Sequence, residues 1–200
     1  MNEYSPHRPF QHRAAILVTI MPLLICLLLL ASSPANAGES IRITGTDGTA
    51  QTWAPARIKE VLASDLKAIE YTGRGAKHTA NAIPLLALLE GAGVPVALKM
   101  DPKADPKSKN YNLRLAVVIE AGDGYTATFS LAELMPEIGG KEVWLALDED
   151  GKPLTERDGL ARMIVPSDKM PARWVRDVVG ISVVDPAAAT TRPATQRAGG

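Results

Sequence analysis

The chain has 200 residues, of which 46% are apolar and 22% are charged, a composition typical of a globular protein and unlike that of a disordered or fibrous chain. Lysine plus arginine and aspartate plus glutamate each number 22, so the formal net charge is zero. This balance excludes a whole-molecule attraction to nucleic acid or to an anionic membrane surface.

Residues 1–37 have the pattern of an export signal. A weakly positive polar start leads into an almost wholly apolar run, Ala14–Ala31, and an A-x-A site ends at Ala37. This pattern predicts a signal peptide that is cleaved after Ala37. An uncleaved membrane anchor is the alternative, because an apolar run of this length is near the minimum that spans a bilayer. Pro22 inside the run and the small residues after it favour cleavage.

The signal predicts the general secretion route to the periplasm or the exterior. Arg13 lies between His12 and Ala14, so the segment has no twin-arginine pair. Cys26 is the only cysteine of the chain and lies inside the apolar run. We therefore expect the mature domain to have no thiol, no disulfide and no thiolate metal ligand.

Residues 38–185 have the length and composition of one domain with one core. Residues 186–200 lack large apolar side chains and predict a disordered tail. Within the domain, Asp-Gly pairs separate apolar and β-branched runs, and the clearest hairpin turns at Gly122–Gly124. The predicted strands are Ile41–Thr44, Leu113–Ile119, Tyr125–Phe129, Val143–Leu147, Met163–Val165 and Ile181–Val184.

Three segments predict helices. Pro55–Leu66 opens on a proline and has apolar residues at helical spacing, and Ile83–Glu90 is a leucine-rich helix that we expect to be buried. Ser130–Glu137 begins with the spacing of a capping box. A further segment, Lys99–Asn110, carries four lysines and two Asp-Pro pairs, which predicts a solvated loop; a basic docking loop is the alternative.

Three segments occur in an order that is found in a known family. The first is the strand-like Ala68–Thr72 with a glycine-rich turn and the helix IPLLALLEGAGV. The second is VIEAGDGYTATFSLAEL, residues 118–134, and the third, residues 145–183, contains DEDGKPL, ARMIVP and ARWVRDVVGISV. Together they resemble the molybdopterin-binding domain of sulfite-oxidase-type oxidoreductases, in particular its short, exported, stand-alone bacterial versions. The resemblance covers about residues 40–185.

This resemblance implies an α+β fold, a mixed, β-rich domain of the sulfite-oxidase molybdopterin-binding type with a few short helices. In the family, the metal is held by the pterin sulfurs and by one cysteine just before the leucine helix. The corresponding stretch here, Tyr71–His78, has no cysteine, and neither Thr72 nor His78 is a thiolate donor. We therefore expect molybdopterin as a possible cofactor without molybdenum.

A pterin phosphate needs cations, and the third segment supplies Arg157, Arg162, Lys169, Arg173 and Arg176. By the resemblance, the residues that approach the cofactor are Arg162, Arg173, Trp174 and Arg176. The alternative is that the arginines form ion pairs with the interspersed carboxylates and that Trp174 packs against the core. The carboxylates in question are Glu156, Asp158, Asp168 and Asp177.

We predict no catalytic residue and no metal ligand, because the chain has no nucleophile elbow, phosphate loop or zinc-protease motif. His78, the one histidine left after cleavage, is expected in an exposed loop. The predicted function is an exported ligand- or partner-binding module without its own redox centre, which takes a small anionic ligand or an envelope redox partner. Nucleic-acid binding and membrane insertion after cleavage are not expected. The alternative is an active molybdopterin-dependent oxidoreductase with an atypical, cysteine-free metal site.

Overall fold

A computed structural model describes Met1 and residues 39–73, 75–97 and 110–190. The predicted signal peptide, nearly all of the predicted lysine-rich loop and residues 191–200 lie outside these ranges. Within them, no helix is long and apolar enough to cross a membrane. All the elements described below belong to the unit Asn36–Gly200.

The described chain forms nine strands, four α-helices and two short 3-10 helices. The strands are β1 (Ile41–Thr44), β2 (Ala50–Trp53), β3 (Lys67–Gly73), β4 (Ala76–Pro84), β5 (Ala116–Ala121), β6 (Thr126–Ser130), β7 (Trp144–Ala146), β8 (Arg162–Ile164) and β9 (Val178–Val184). The α-helices are α1 (Pro55–Val61), α2 (Leu85–Gly91), α3 (Leu131–Leu134) and α4 (Pro186–Thr190), and the 3-10 helices are Tyr111–Arg114 and Pro171–Arg173. This mixed composition confirms the predicted α+β class.

Five strands form one sheet in the order β2-β1-β9-β5-β6. Strands β1 and β9 are parallel, and the other neighbours are antiparallel. The β5–β6 hairpin turns at the predicted place, and Gly124 has a φ of 84°, a conformation that only glycine adopts without strain. Alternation along β5 buries Val117 and Ile119 on one face of the sheet, as its apolar pattern predicts.

The other four strands form an antiparallel sheet in the order β3-β4-β7-β8. Strand β4 occupies a segment whose first residues were expected to be part of a glycine-rich turn. The turn is confined to a tight hairpin in which Gly75 has a φ of 83°. Strand formation follows from the alternation further along β4, which buries the small residues Ala80 and Ala82 against the sheet.

The main core lies between the two sheets and includes helix α2. Leu85, Leu88 and Leu89 of that helix are fully buried, in agreement with the prediction of a buried leucine helix. A second, smaller apolar cluster contains Tyr71 and Trp144, and Trp174 packs against it. Strands β7 and β8 are buried along their whole length, and Arg162 of β8 also lines the cavity described below.

The helices are shorter than predicted. Helix α1 ends at Val61, and turns carry the chain on to Leu66, because an Ala-Ser-Asp stretch favours turns over a further helical turn. Helix α3 has the predicted capping box, in which the backbone N–H of Ser130 donates to Glu133 Oε1 at 3.1 Å. Helix α4 lies at the start of the predicted disordered tail, and the Asp185 side chain accepts a hydrogen bond from its second residue.

Candidate functional site

A cavity of about 720 Å³ opens beside the β3–β4 hairpin and shares Tyr71 and Trp174 with the second apolar cluster. Its lining comes from this hairpin, from the segment that links β7 to the start of β8, and from the segment before β9. The lining residues are Tyr71, Thr72, Gly73, His78, Glu149, Thr155, Arg157, Asp158, Arg162, Asp168, Lys169, Pro171, Trp174 and Arg176.

Three rings form one wall of the cavity, and the central one, Tyr71, contacts the other two. Tyr71 and His78 are paired across the β3–β4 hairpin and stack with their ring centroids 5.5 Å apart. Trp174 meets Tyr71 edge-on, also at 5.5 Å, and its indole N–H donates to the carbonyl oxygen of Val165 at 3.0 Å. The indole is therefore held in place while part of its ring faces the cavity, where it can contact a flat or apolar portion of a ligand.

The His78 imidazole is held by Asp150, whose carboxylate accepts from Nδ1 at 2.8 Å. The backbone N–H of Thr79 and then the imidazole hold the pKa of Asp150 below its usual value. His78 therefore lies on strand β4 at the cavity wall, whereas the sequence predicted an exposed loop position.

The floor of the cavity consists of Glu149, Asp158, Arg162 and Arg176. Arg162 is 8% exposed, and its guanidinium donates to Glu149 Oε1 at 2.9 Å and lies 3.5 Å from Asp158. The side chain of Asp158, also buried, lies 3.2 Å from the Arg176 guanidinium. Two carboxylates and two guanidiniums thus alternate along the floor and neutralise one another.

Tyr71 connects the wall to the floor, because its hydroxyl donates a hydrogen bond to Glu149 Oε1. Burial, and then this hydrogen bond to a carboxylate, raise the pKa of Tyr71 above its ordinary value. The phenol therefore stays protonated and keeps donating at physiological pH. Glu149 Oε1 accepts hydrogen bonds from both Tyr71 and Arg162.

Arg173 is absent from the cavity lining. Its guanidinium forms a bidentate pair with Asp168, at 2.8 and 2.7 Å, and lies 3.2 Å from Glu133 and 4.5 Å from the centre of the Phe129 ring. The two hydrogen bonds from Arg173 lower the pKa of Asp168, as does Lys141 at 2.9 Å. Arg173 thus joins the 3-10 helix before β9 to helix α3.

Two further lining residues, Arg157 and Lys169, have exposed side chains, and we refer to this cationic part of the lining as the mouth of the cavity. Neither cation has an ion pair or a hydrogen bond with another residue in the described part of the chain. Their charges are therefore available to a ligand, in contrast to the guanidiniums of the floor. Of the residues predicted to bind a cofactor, Arg162, Trp174 and Arg176 line the cavity, and the mouth adds two cations to them.

Glu149 and Asp150 carry much of the site's chemistry, and the sequence analysis did not select them. Both lie in the DEDGKPL stretch, directly after the buried strand β7. An acidic run at the end of a buried strand was the available signal, because such side chains face the edge of a sheet, where sites form. The pairing of these carboxylates with β3 and β4 depends on contacts between distant parts of the chain.

The donor set of the cavity does not fit a molybdenum centre with a protein thiolate. The stretch expected to carry that thiolate forms the β3–β4 hairpin and presents Tyr71, Thr72, Gly73 and His78 to the cavity. The imidazole already binds Asp150, and the floor carboxylates already bind guanidiniums. Among the described residues, no group of three or more His, Cys, Asp or Glu side chains could hold a metal ion.

Comparison with known proteins shows that this chain shares its fold with part of an oxidoreductase. No family model and no curated protein matches the chain. Among solved structures, it is similar to the sulfane dehydrogenase SoxCD from Paracoccus pantotrophus, with a TM-score of 0.50 and 16% sequence identity. The match covers 76% of this chain and 40% of that one, so the chain spans less than half of the dehydrogenase's length. At this identity, the likeness shows the fold alone.

Proposed function

We propose that this protein is an exported binding module that holds a small anionic ligand in the cavity and has no redox centre of its own. The observation that carries the proposal is the contrast between the neutralised floor and the mouth, where Arg157 and Lys169 have no acidic partner among the described residues. Two exposed cations at the entrance of a cavity attract an anion and fix its position.

The remaining lining gives such a ligand a defined place. Arg157 can bind a phosphate or carboxylate with two parallel hydrogen bonds, and Lys169 supplies a second positive charge to the lining. Trp174 offers a ring face to the organic part of the ligand, and Arg162 with Arg176 keeps the floor rigid. A molybdopterin-type cofactor without its metal belongs to the class of ligands that this lining would accept.

The place of action and the partner are part of the same proposal. The signal pattern of residues 1–37 supports a periplasmic or secreted location. An envelope redox protein is a partner consistent with that location and with a fold found in a dehydrogenase. The zero net charge gives no support to nucleic acid as a partner.

A molybdopterin-dependent oxidoreductase with a cysteine-free metal site is the second candidate. The fold shared with part of a sulfane dehydrogenase favours it. The β3–β4 hairpin argues against it, because no side chain there is a soft, charge-donating ligand. The two candidates differ in metal content, which can be measured directly.

The test is to express the full chain in a host that makes the molybdenum cofactor and to measure molybdenum and pterin fluorescence on the protein recovered from the periplasm. We expect substoichiometric molybdenum, and stabilisation against heat by inorganic phosphate. The double variant Arg157→Ala/Lys169→Ala should lose this stabilisation, and the control Arg42→Ala/Lys59→Ala, with the same change in charge, should keep it. Stoichiometric molybdenum would establish the second candidate, and equal stabilisation of both variants would refute the mouth as the anion site.

A further inference from the structure

The floor of the cavity has one carboxylate oxygen that is open to a ligand. Glu149 Oε1 accepts from both Tyr71 and Arg162, whereas Oε2 accepts no hydrogen bond from any residue in the described ranges. The Glu149 side chain is 25% exposed and lines the cavity, so this oxygen has a route to a bound molecule. An ionised carboxylate has only acceptor sites, and its free oxygen needs an N–H or O–H donor.

We propose that the ligand is zwitterionic: it carries an amino or amidinium group that donates to Glu149 Oε2, in addition to the anionic group held at the mouth. This inference rests on the proposed binding function and names the chemical class of its ligand. Among the described residues, the mouth presents two cations without partners, and the floor presents Glu149 Oε2 as an acceptor without a donor; Asp158 Oδ1 also accepts no hydrogen bond there, but it is enclosed. A molecule with a positive inner end and a negative outer end satisfies both.

A ligand with only a negative charge matches this cavity less well. Any part of it that reaches the floor meets the negative charge of Glu149, which forms an ion pair with Arg162. Such an anion gains only the mouth contacts. An ammonium group reverses the sign of the interaction at the floor, and a charge-assisted hydrogen bond is about twice as strong as a neutral one.

The aromatic wall favours a flat or apolar segment between the two charged ends of the ligand. Trp174 is anchored through its indole N–H and packs against Tyr71, so its ring is a rigid surface beside the path from mouth to floor. A flat or apolar middle segment would lie against it. A benzene ring with charged groups in para positions combines these features in a simple probe.

The experiment is calorimetric titration of the full-length protein with two matched probes, para-(aminomethyl)benzenesulfonate and para-methylbenzenesulfonate. They share the ring and the sulfonate, and they differ in the ammonium group. We expect the amino probe to bind about ten-fold more tightly. Glu149→Gln should remove this preference, and the matched control Glu70→Gln, on an exposed position of β3, should preserve it. Thermal unfolding of each variant verifies its fold.

The outcomes separate this inference from the proposed function. If the protein binds the two probes with equal affinity and Arg157→Ala/Lys169→Ala binds neither, the proposal of a zwitterionic ligand is refuted. Anion binding at the mouth then still stands. Failure of both probes and of inorganic phosphate to bind would overturn the proposed function as well. If Glu149→Gln does not fold, Glu149→Asp replaces it, since it keeps the charge and withdraws the carboxylate by one methylene. A preference that persists in whichever variant folds would refute the role of Glu149.

Discussion

Two sets of cations in one short segment have opposite roles. Arg162, Arg173 and Arg176 are each paired with a carboxylate, and the Arg162–Asp158 pair is almost entirely buried. Arg157 and Lys169 lie close to them in the sequence, yet their side chains are exposed at the mouth of the cavity. The difference shows that basic residues alternating with acidic ones do not form a uniform surface. Some of them build the cavity, and others are left to bind.

The paired arginines also indicate what the removal of one partner of an ion pair would do to stability. A buried ion pair contributes little net stability compared with an apolar pair, but the removal of one partner leaves a charge with no compensation. An exposed cation without a partner can be removed at almost no cost. Stability measurements on the two sets therefore test the comparison, and the expected effects decrease in the order given below.

The largest effect is expected from Arg162→Met. The substitution removes the cation between Glu149 and Asp158, and the burial of Asp158 prevents water from fully replacing it there. We expect the free energy of unfolding to fall by about 3 kcal/mol, measured by urea denaturation. The control is Arg42→Met, on an exposed position of β1, which should change it by less than about 0.5 kcal/mol. Equal small effects for both variants would contradict the description of the floor as a buried ion-pair chain.

A smaller loss is expected from Arg173→Ala. The variant loses the bidentate pair with Asp168, the contact with Glu133 and the packing on Phe129; the two ion pairs are partly exposed. We expect a loss of about 2 kcal/mol in the free energy of unfolding, with phosphate binding at the mouth preserved. Arg173→Lys should recover only part of the stability, because an ammonium lacks the planar fork. Unchanged stability together with lost phosphate binding would return Arg173 to the ligand site predicted from the sequence.

The Arg173 pair also makes stability depend on pH in the acidic range. Since hydrogen bonds from Arg173 lower the pKa of Asp168 in the folded state, the unfolded chain binds this proton more readily. The stabilisation is present above the unfolded pKa of about 3.9 and is lost as the pH falls through the folded value. Urea denaturation between about pH 5 and pH 2 should show that the free energy of unfolding falls more steeply with decreasing pH in the wild type than in Asp168→Asn. Identical slopes would show that this carboxylate is not stabilised by its partners.

The smallest effect on stability is expected from Arg157→Ala/Lys169→Ala. Both side chains are exposed, and neither has a partner among the described residues, so the free energy of unfolding should change by less than about 0.5 kcal/mol. The same variant should lose phosphate-dependent stabilisation, which separates binding from folding. A loss comparable to that of Arg162→Met would mean that the mouth is part of the structural network.

The accuracy of the sequence predictions followed the range of the interactions involved. The β5–β6 hairpin, the capping box at Ser130 and the buried leucine helix α2 depend on neighbouring residues, and the structure confirms them. The end of strand β4 was predicted as helix, because its last residues pair with β7, which lies some sixty residues further along the chain. Glu149 was missed because its significance arises from its contacts with Tyr71 and Arg162.

The sequence by itself determined the α+β class, the turns, and the absence of a cysteine from the stretch between Tyr71 and His78, because composition, periodicity and glycine placement act locally. Only the tertiary structure decided which cations are neutralised and which remain available at the mouth. An ion pair requires two charged groups within about 4 Å, and that distance is set by how the hairpin and the two segments around β8 pack together. Nothing in the spacing of Arg157, Arg162 and Arg173 along the chain could have distinguished a ligand-binding cation from one that holds the fold together.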